Sequence, residues 1–226
     1  MKTHVLTGAG SGIGQVLAER LRDRGDRLVL LARDQDRVDQ LRPDFPEAEF
    51  VVADLATPES LTDLGARITD PIDSLLHVAG VLDLGPVAEQ DLASWRHQLD
   101  VNLTAPAVLT TALLPQLRRA RGTVVFVNSS AGLTAHANWS AYAASKFGLR
   151  ALAEALRAEE AEHGIRVTSV FPGRTATPMQ ARVHEQEGRA YDPAAFVAPD
   201  TVAEAILHVL DLPDNATIGD LSIRPR

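Results

Sequence analysis

The chain has 226 residues, 45% hydrophobic and 23% charged, with a formal net charge of -8 and no cysteine. That length suits a single domain over residues 1–226 with a large core, and the acidic balance argues against nucleic acid or an anionic membrane as the main partner. Without cysteine there are no disulfides, thiolate metal sites or cysteine nucleophiles, which fits a reducing cytoplasm.

Strand-like and helical runs alternate along the chain. His4–Thr7 reads as a short strand, Ile13–Arg24 as a helix and Arg27–Ala32 as a strand. Phe50–Ala53 is a further strand, followed by a helical stretch over Pro58–Ile68 and an apolar strand over Ser74–Ala79. A helical region spans about Asp91 to Ala120 and contains Pro106 and Pro115. The strand Thr123–Asn128, the long helix Ser140–His163 and the strand Ile165–Phe171 follow. Arg174–Tyr191 reads as irregular, within a substrate loop around 174–199. Thr201–Leu210 is helical, and Thr217–Ile223 closes the chain as a strand. Continuous apolar strands separated by helices predict an α/β fold: a doubly wound parallel sheet with helices on both faces. No apolar run approaches the ~18 residues of a membrane-spanning helix, and the first strand begins too close to Met1 for a leader. The seven histidines are scattered and none forms H-E-x-x-H, so no metal site is expected.

The first chemical signal is Thr7-Gly8-Ala9-Gly10-Ser11-Gly12-Ile13-Gly14, set between a strand and a helix. Glycines there permit a tight turn and close approach to a pyrophosphate, and the helix N-terminus offers free N–H groups. This predicts a dinucleotide. The second strand ends Leu30-Leu31-Ala32-Arg33. Ala32 offers nothing to a ribose hydroxyl, whereas Arg33 suits a 2′-phosphate. NADP(H) is therefore favoured, with NAD(H) held by Asp34 or Asp36 as the alternative.

The second signal is Tyr142-Ala143-Ala144-Ser145-Lys146, at the start of the long helix. Residues four apart on a helix share a face. A free phenol ionises near pH ~10. A neighbouring ammonium favours the phenolate and lowers that value, giving a proton donor and acceptor for a carbonyl or an alcohol. A Tyr and a Lys at this spacing also occur by chance, so the pair carries weight only together with the other motifs.

Those motifs resemble the short-chain dehydrogenase/reductase family, in its compact single-domain branch. The matching stretches are Thr7–Gly14, Asp54-Leu55, Ala79-Gly80, Asn102, Ser129, Tyr142, Lys146, and Pro172-Gly173 with Thr177, in that order across nearly the whole chain. The resemblance implies that Gly8, Ser11, Gly12, Ile13 and Gly14 wrap the pyrophosphate side. Asp54 and Leu55 would contact adenine, and Ala79 and Gly80 would pass beneath a ribose. Pro172, Gly173, Thr175 and Thr177 would line the nicotinamide, Thr177 holding its carboxamide. It implies catalysis by Ser129, Tyr142, Lys146 and Asn102. Tyr142 would exchange a proton with the substrate oxygen that Ser129 polarises. Lys146 would hold the nicotinamide ribose and tune Tyr142, and the backbone at Asn102 would bind a water linking Lys146 to solvent. Ser129, thirteen positions before Tyr142, has the family spacing; Ser130 is one closer. His77-Val78-Ala79-Gly80 departs from the family's Asn-Asn-Ala-Gly, so His77 replaces an asparagine that ties central strands together. A core histidine with a satisfied hydrogen bond is expected there.

The substrate side is less constrained. Candidate pocket residues are Leu82, Leu133, His136, Trp139, Arg174 and Met179, a mostly apolar set in which Arg174 meets either an anionic substrate group or an ion-pair partner. The expectation is an NADP(H)-dependent oxidoreductase acting on a small carbonyl or alcohol, assembled as a homodimer or homotetramer. A dinucleotide-binding redox sensor or scaffold without turnover is the alternative. A methyltransferase on the same fold has no use for the Ser–Tyr–Lys set.

Overall fold

Side chains alternate between the two faces of a strand, so a strand covered on both sides is apolar at every position. The computed structural model, which describes residues 1–226, has seven strands, the central ones buried on both faces: β1 (Thr3–Thr7), β2 (Arg27–Ala32), β3 (Glu49–Val52), β4 (Ser74–His77), β5 (Thr123–Val127), β6 (Arg166–Pro172) and β7 (Asp220–Ile223). They form one sheet of order β3-β2-β1-β4-β5-β6-β7, with every pair parallel. Val5, Val29, Leu75 and Val124 join one apolar cluster, while their neighbours Leu6, Leu30, Leu76 and Val125 join the other.

Eight helices cover the two faces: α1 (Gly12–Asp23), α2 (Gln35–Leu41), α3 (Leu64–Arg67), α4 (Leu92–Leu99), α5 (Ala105–Ala120), α6 (Ser140–Glu159), α7 (Pro178–Gln186) and α8 (Pro199–Leu210). Leu109, Leu113 and Leu117 of α5 and Leu149, Ala153 and Leu156 of α6 recur at helical spacing and cover the first face. Leu17 and Leu21 of α1 and Val202 and Ile206 of α8 cover the second. Each large aliphatic side chain so buried contributes about 1.5–3 kcal/mol before chain entropy is counted. The chain leaves β1 towards β2 and β3, then returns to the other side of β1 at β4. That reversal opens a crevice outside the C-terminal ends of β1 and β4.

The doubly wound parallel sheet agrees with the expectation, and four local differences have physical causes. Helix α2 has no expected counterpart, because Val38 and Leu41 are its only buried residues and give no periodic signal. The expected helix over Pro58–Ile68 is a 3₁₀ turn (Pro58–Leu61) followed by the one-turn α3. The expected helical region from Asp91 to Ala120 is α4 and α5 joined by a π-helical turn, Asp100–Thr104, with Pro106 just inside the start of α5. The segment expected to be irregular after Arg174 contains α7, started by Thr177, whose side chain accepts from the Gln180 N–H.

Candidate active site

The crevice is built by close backbone contact. Gly8 has φ +82, and a Cβ on it would lie 2.8 Å from the Ala79 nitrogen. A Cβ on Gly14 would lie 2.1 Å from the Gly8 carbonyl oxygen, so only glycine lets α1 settle on the loop. Thr7 holds the two strand ends together. Its hydroxyl oxygen accepts from the Val78 and Ala79 N–H groups at 3.1 and 3.2 Å and donates to the Leu76 carbonyl. His77 takes no part in that tie. Its Nε2 meets the Thr110 hydroxyl at 2.9 Å and its ring stacks on Phe126 at 4.8 Å. Burial pushes its pKa down to about 3, so the ring is neutral. His77 is thus the satisfied core histidine expected.

The cavity at the crevice has a volume of about 290 Å³. Gly8, Ser11, Gly12, Ile13, Gly14, Ala79 and Gly80 line one part of it. Ser129, Tyr142 and Lys146 line another, with Pro172, Gly173, Thr175 and Thr177 beside them. The sequence-predicted catalytic and nicotinamide-side residues, Asn102 excepted, therefore share one cavity.

Tyr142 and Lys146 are buried on one face of α6, and the ammonium lies 5.7 Å from the phenol ring centroid. The ammonium donates to the Val127 carbonyl at 3.1 Å. Burial lowers the Lys146 pKa to about 8. Burial also raises the Tyr142 pKa, while a hydrogen bond with the Ser129 side chain pulls it the other way. The expectation that Lys146 lowers the Tyr142 pKa is thus corrected for the protein alone: burial sets the direction, the Ser129 hydrogen bond is what opposes it, and the ammonium is aimed at the Val127 carbonyl. Ser129, two residues beyond β5, caps the 3₁₀ turn Ser130–Gly132, its hydroxyl accepting from the Ala131 N–H.

Asn102 sits in the π-helical turn, buried, and does not line the cavity. Its side chain donates to the Val81 carbonyl and the Ser145 hydroxyl and accepts from the Val81 N–H. It clips the segment following Gly80 to the catalytic helix. Asn128, which the sequence motifs did not single out, works similarly: its amide donates to the Lys146 carbonyl at 3.0 Å and its oxygen accepts from the Ser129 N–H at 2.9 Å. Only the folded chain reveals that it joins the Ser129 backbone to the catalytic helix at Lys146.

At the end of β2, Arg33 is exposed and its Nε donates to Asp34 at 2.9 Å. Asp34 is committed twice, to Arg33 and to capping α2 through the Arg37 N–H, and that cap is the main reason its pKa is lowered. It is poorly placed to serve a ribose. Arg37 was not a sequence candidate. Its Nη2 donates to the Gly10 carbonyl at 2.6 Å, laying the guanidinium on the glycine loop. Asp54 accepts from the Ala56 N–H, and Leu55 packs against the α5–α6 core cluster. Arg33, Asp54 and Leu55 lie outside the cavity wall.

Of the substrate candidates, Leu82, Trp139, Arg174 and Met179 line the cavity, and Leu133 and His136 do not. The 3₁₀ turn Ser130–Gly132 carries the chain away before Leu133, and His136 is exposed. Trp139 meets Tyr142 edge-on at 5.8 Å. Arg174 is ion-paired with Glu187 at 3.0 and 2.7 Å, and that guanidinium holds the Glu187 carboxyl below its ordinary pKa.

A switch-point crevice with a glycine-rich loop at the mouth of its first helix is where doubly wound folds bind dinucleotides. A family model described as short chain dehydrogenase matches residues 2–188, and the chain belongs to that family of oxidoreductases. An uncharacterized oxidoreductase of Escherichia coli, YciK, is 34% identical over 91% of this chain and 84% of its own. Another from Staphylococcus saprophyticus is 28% identical over 99% of this chain and 97% of its own. The crystal structure of a putative short chain dehydrogenase from Escherichia coli, complexed with NADPH, superposes with a TM-score of 0.88 at 31% identity, covering 98% of this chain and 95% of the other. No helix of this chain is long and apolar enough to cross a membrane.

Proposed function

We propose that the protein interconverts a carbonyl and a secondary alcohol using NADP(H). The observation that carries this reading is one cavity bounded by the glycine loop, Ser129, Tyr142 and Lys146. The residues suit the cofactor. Gly8 and Gly14 let the loop, the Ala79 backbone and the start of α1 approach closely, so that Gly8, Ser11, Gly12, Ile13 and Gly14 form one wall of the cavity, and Arg33 and Arg37 supply cations for a 2′-phosphate. The NADPH bound to the Escherichia coli relative supports the same choice. Bound there, the nicotinamide would supply or accept the hydride.

The chain's own residues do the rest. Tyr142 donates its proton to the substrate oxygen in reduction and takes it back in oxidation. The Ser129 hydroxyl hydrogen-bonds the same oxygen as negative charge develops on it. Lys146, protonated near neutral pH, favours the phenolate left behind and holds the ribose hydroxyls. Thr177, half-buried in the cavity wall, holds the carboxamide. Asn102 and Asn128 fix the backbones on which these groups stand. A homodimer or homotetramer in the cytoplasm completes the reading; the half-exposed Phe147 on α6 suits helix-to-helix pairing.

The test is a titration of the purified protein with NADPH and NADH, followed by nicotinamide fluorescence. Saturable binding with NADPH preferred, and carbonyl-dependent NADPH oxidation, is the expected result. Failure to bind either nucleotide would overturn the reading.

A further inference from the structure

Acidic residues outnumber basic ones in this chain, 30 against 22. The cavity reverses that balance. Its wall carries Lys146, Arg174 and Arg182, and no aspartate or glutamate. A concave wall of one sign raises the local concentration of ligands of the other. Lys146 is accounted for by the chemistry proposed above. The two arginines, both on the segment that follows β6, are not.

Arg174 is held in place from two sides. Glu187 takes both terminal nitrogens, and the guanidinium carbon lies 6.0 Å from the Trp139 ring centroid. Trp139 in turn abuts Tyr142, so one indole spans the distance between guanidinium and phenol. Glu187 is outside the cavity wall, so the ion pair turns its positive end inward. Two carboxylate oxygens use two of the five guanidinium N–H groups, leaving donors for a second partner. Arg182, on α7, has no carboxylate within 4.0 Å and no hydrogen-bond partner, and it lines the same cavity. The glycine loop and the N-terminus of α1 already provide for a pyrophosphate. Arg174, stacked on the residue that touches Tyr142, stands instead where a substrate must lie.

We propose that the substrate is an oxo acid or the matching hydroxy acid. Its carboxylate is received by Arg174 and Arg182 while its carbonyl or hydroxyl oxygen meets Tyr142 and Ser129. This rests on the oxidoreductase reading above. In reduction a hydride from NADPH forms the new C–H bond, the Tyr142 proton forms the O–H bond, and the carboxylate is unchanged. The products are the hydroxy acid and NADP⁺, with Tyr142 reprotonated from solvent.

The test uses the full chain loaded with NADPH. Nicotinamide fluorescence and NADPH oxidation are followed with 2-oxohexanoate, 4-oxopentanoate and 5-oxohexanoate, each against its methyl ester. In at least one pair the acid is preferred by about tenfold or more, the scale of a charge-assisted contact. Arg182→Ala and Arg174→Ala erase that preference and leave NADPH affinity within about twofold. Arg182 is exposed and unpartnered, so its variant keeps the fold even if the Arg174 variant loosens the segment. A series in which no acid outperforms its ester overturns the proposal. So does an Arg182→Ala variant that loses NADPH affinity while keeping the acid-to-ester ratio, which would assign Arg182 to the cofactor. Absence of NADPH binding in the wild-type chain marks failure of the oxidoreductase reading itself.

Discussion

Tyr142 and Lys146 were legible in the sequence as a pair four apart, but their environment was not. Both are buried, and burial disfavours the charged form of each. If Tyr142 carries the proton, Tyr142→Phe removes the transferable proton and almost nothing else. Turnover should fall by roughly 10²–10⁴-fold with NADPH affinity unchanged, measured by steady-state rates beside a fluorescence titration. Retained activity would move the proton to another group. The ribose end divides differently. Arg33 was legible because it follows a strand, whereas Arg37 reaches Gly10 only once α2 has folded against the loop. Arg37→Ala should weaken NADPH by about tenfold and NADH far less, since a lost phosphate contact costs only the nucleotide that has the phosphate. Equal losses would make Arg37 a brace for the loop. One signal at this scale was available and unused. The chain has two lysines, Lys2 and Lys146, among 22 basic residues, so the choice of lysine over arginine at 146 is itself informative. Lysine shifts its pKa on burial and arginine does not.

The expected helical stretches contain α1, α3, α4, α5, α6 and α8, and the apolar strands were found with them; the long helices with several buried turns, α1, α5, α6 and α8, carry the clearest pattern. Periodicity missed α2 and α7, which are short and mostly polar and depend on caps, Asp34 and Thr177. A cap is a single residue, and its meaning depends on where the chain goes next. The strand tie was likewise hidden. His77 drew attention as a departure from the resemblance, yet the tie runs through Thr7, four residues into the first strand. Thr7→Val keeps shape and β preference while removing the oxygen that accepts from Val78 and Ala79. Leaving those N–H groups without a partner should cost about 1–3 kcal/mol. At about 2–4 °C per kcal/mol for a chain of this size, a thermal scan resolves it. An unchanged midpoint would mean that water reaches both N–H groups. Thr177→Ala tests the other element. Losing the cap should cost α7 about 1 kcal/mol, and with Thr177 in the cavity wall it should impair cofactor binding more than global stability.

At the scale of the molecule, the doubly wound parallel sheet followed from alternating strands and helices, but the sign of the cavity did not, because Arg174, Lys146 and Arg182 are brought together from the turn after β6, from α6 and from α7. The same assembly makes overall stability sensitive to pH in a window set by Lys146. Its pKa is about 8 in the folded chain, against an ordinary value of 10.5. Below pH 8 both folded and unfolded chains hold the proton, and the folded chain bears the full cost of a buried ammonium. Between pH 8 and 10.5 the folded chain has released that proton and the unfolded chain has not. Stability therefore rises with pH across this window, by up to about 1.4 kcal/mol per unit. Above pH 10 Tyr142 opposes the gain, because its raised pKa keeps the folded phenol protonated after the unfolded one ionises. With Lys2 the only other lysine, the background is nearly flat. Urea unfolding at pH 7.5, 8.5 and 9.5 should show wild type losing its deficit against Lys146→Met as the pH climbs. Parallel curves for the two proteins would mean that water or a structural change solvates the ammonium. In that case Lys146 would meet its ligand as an ordinary lysine, charged throughout the working range.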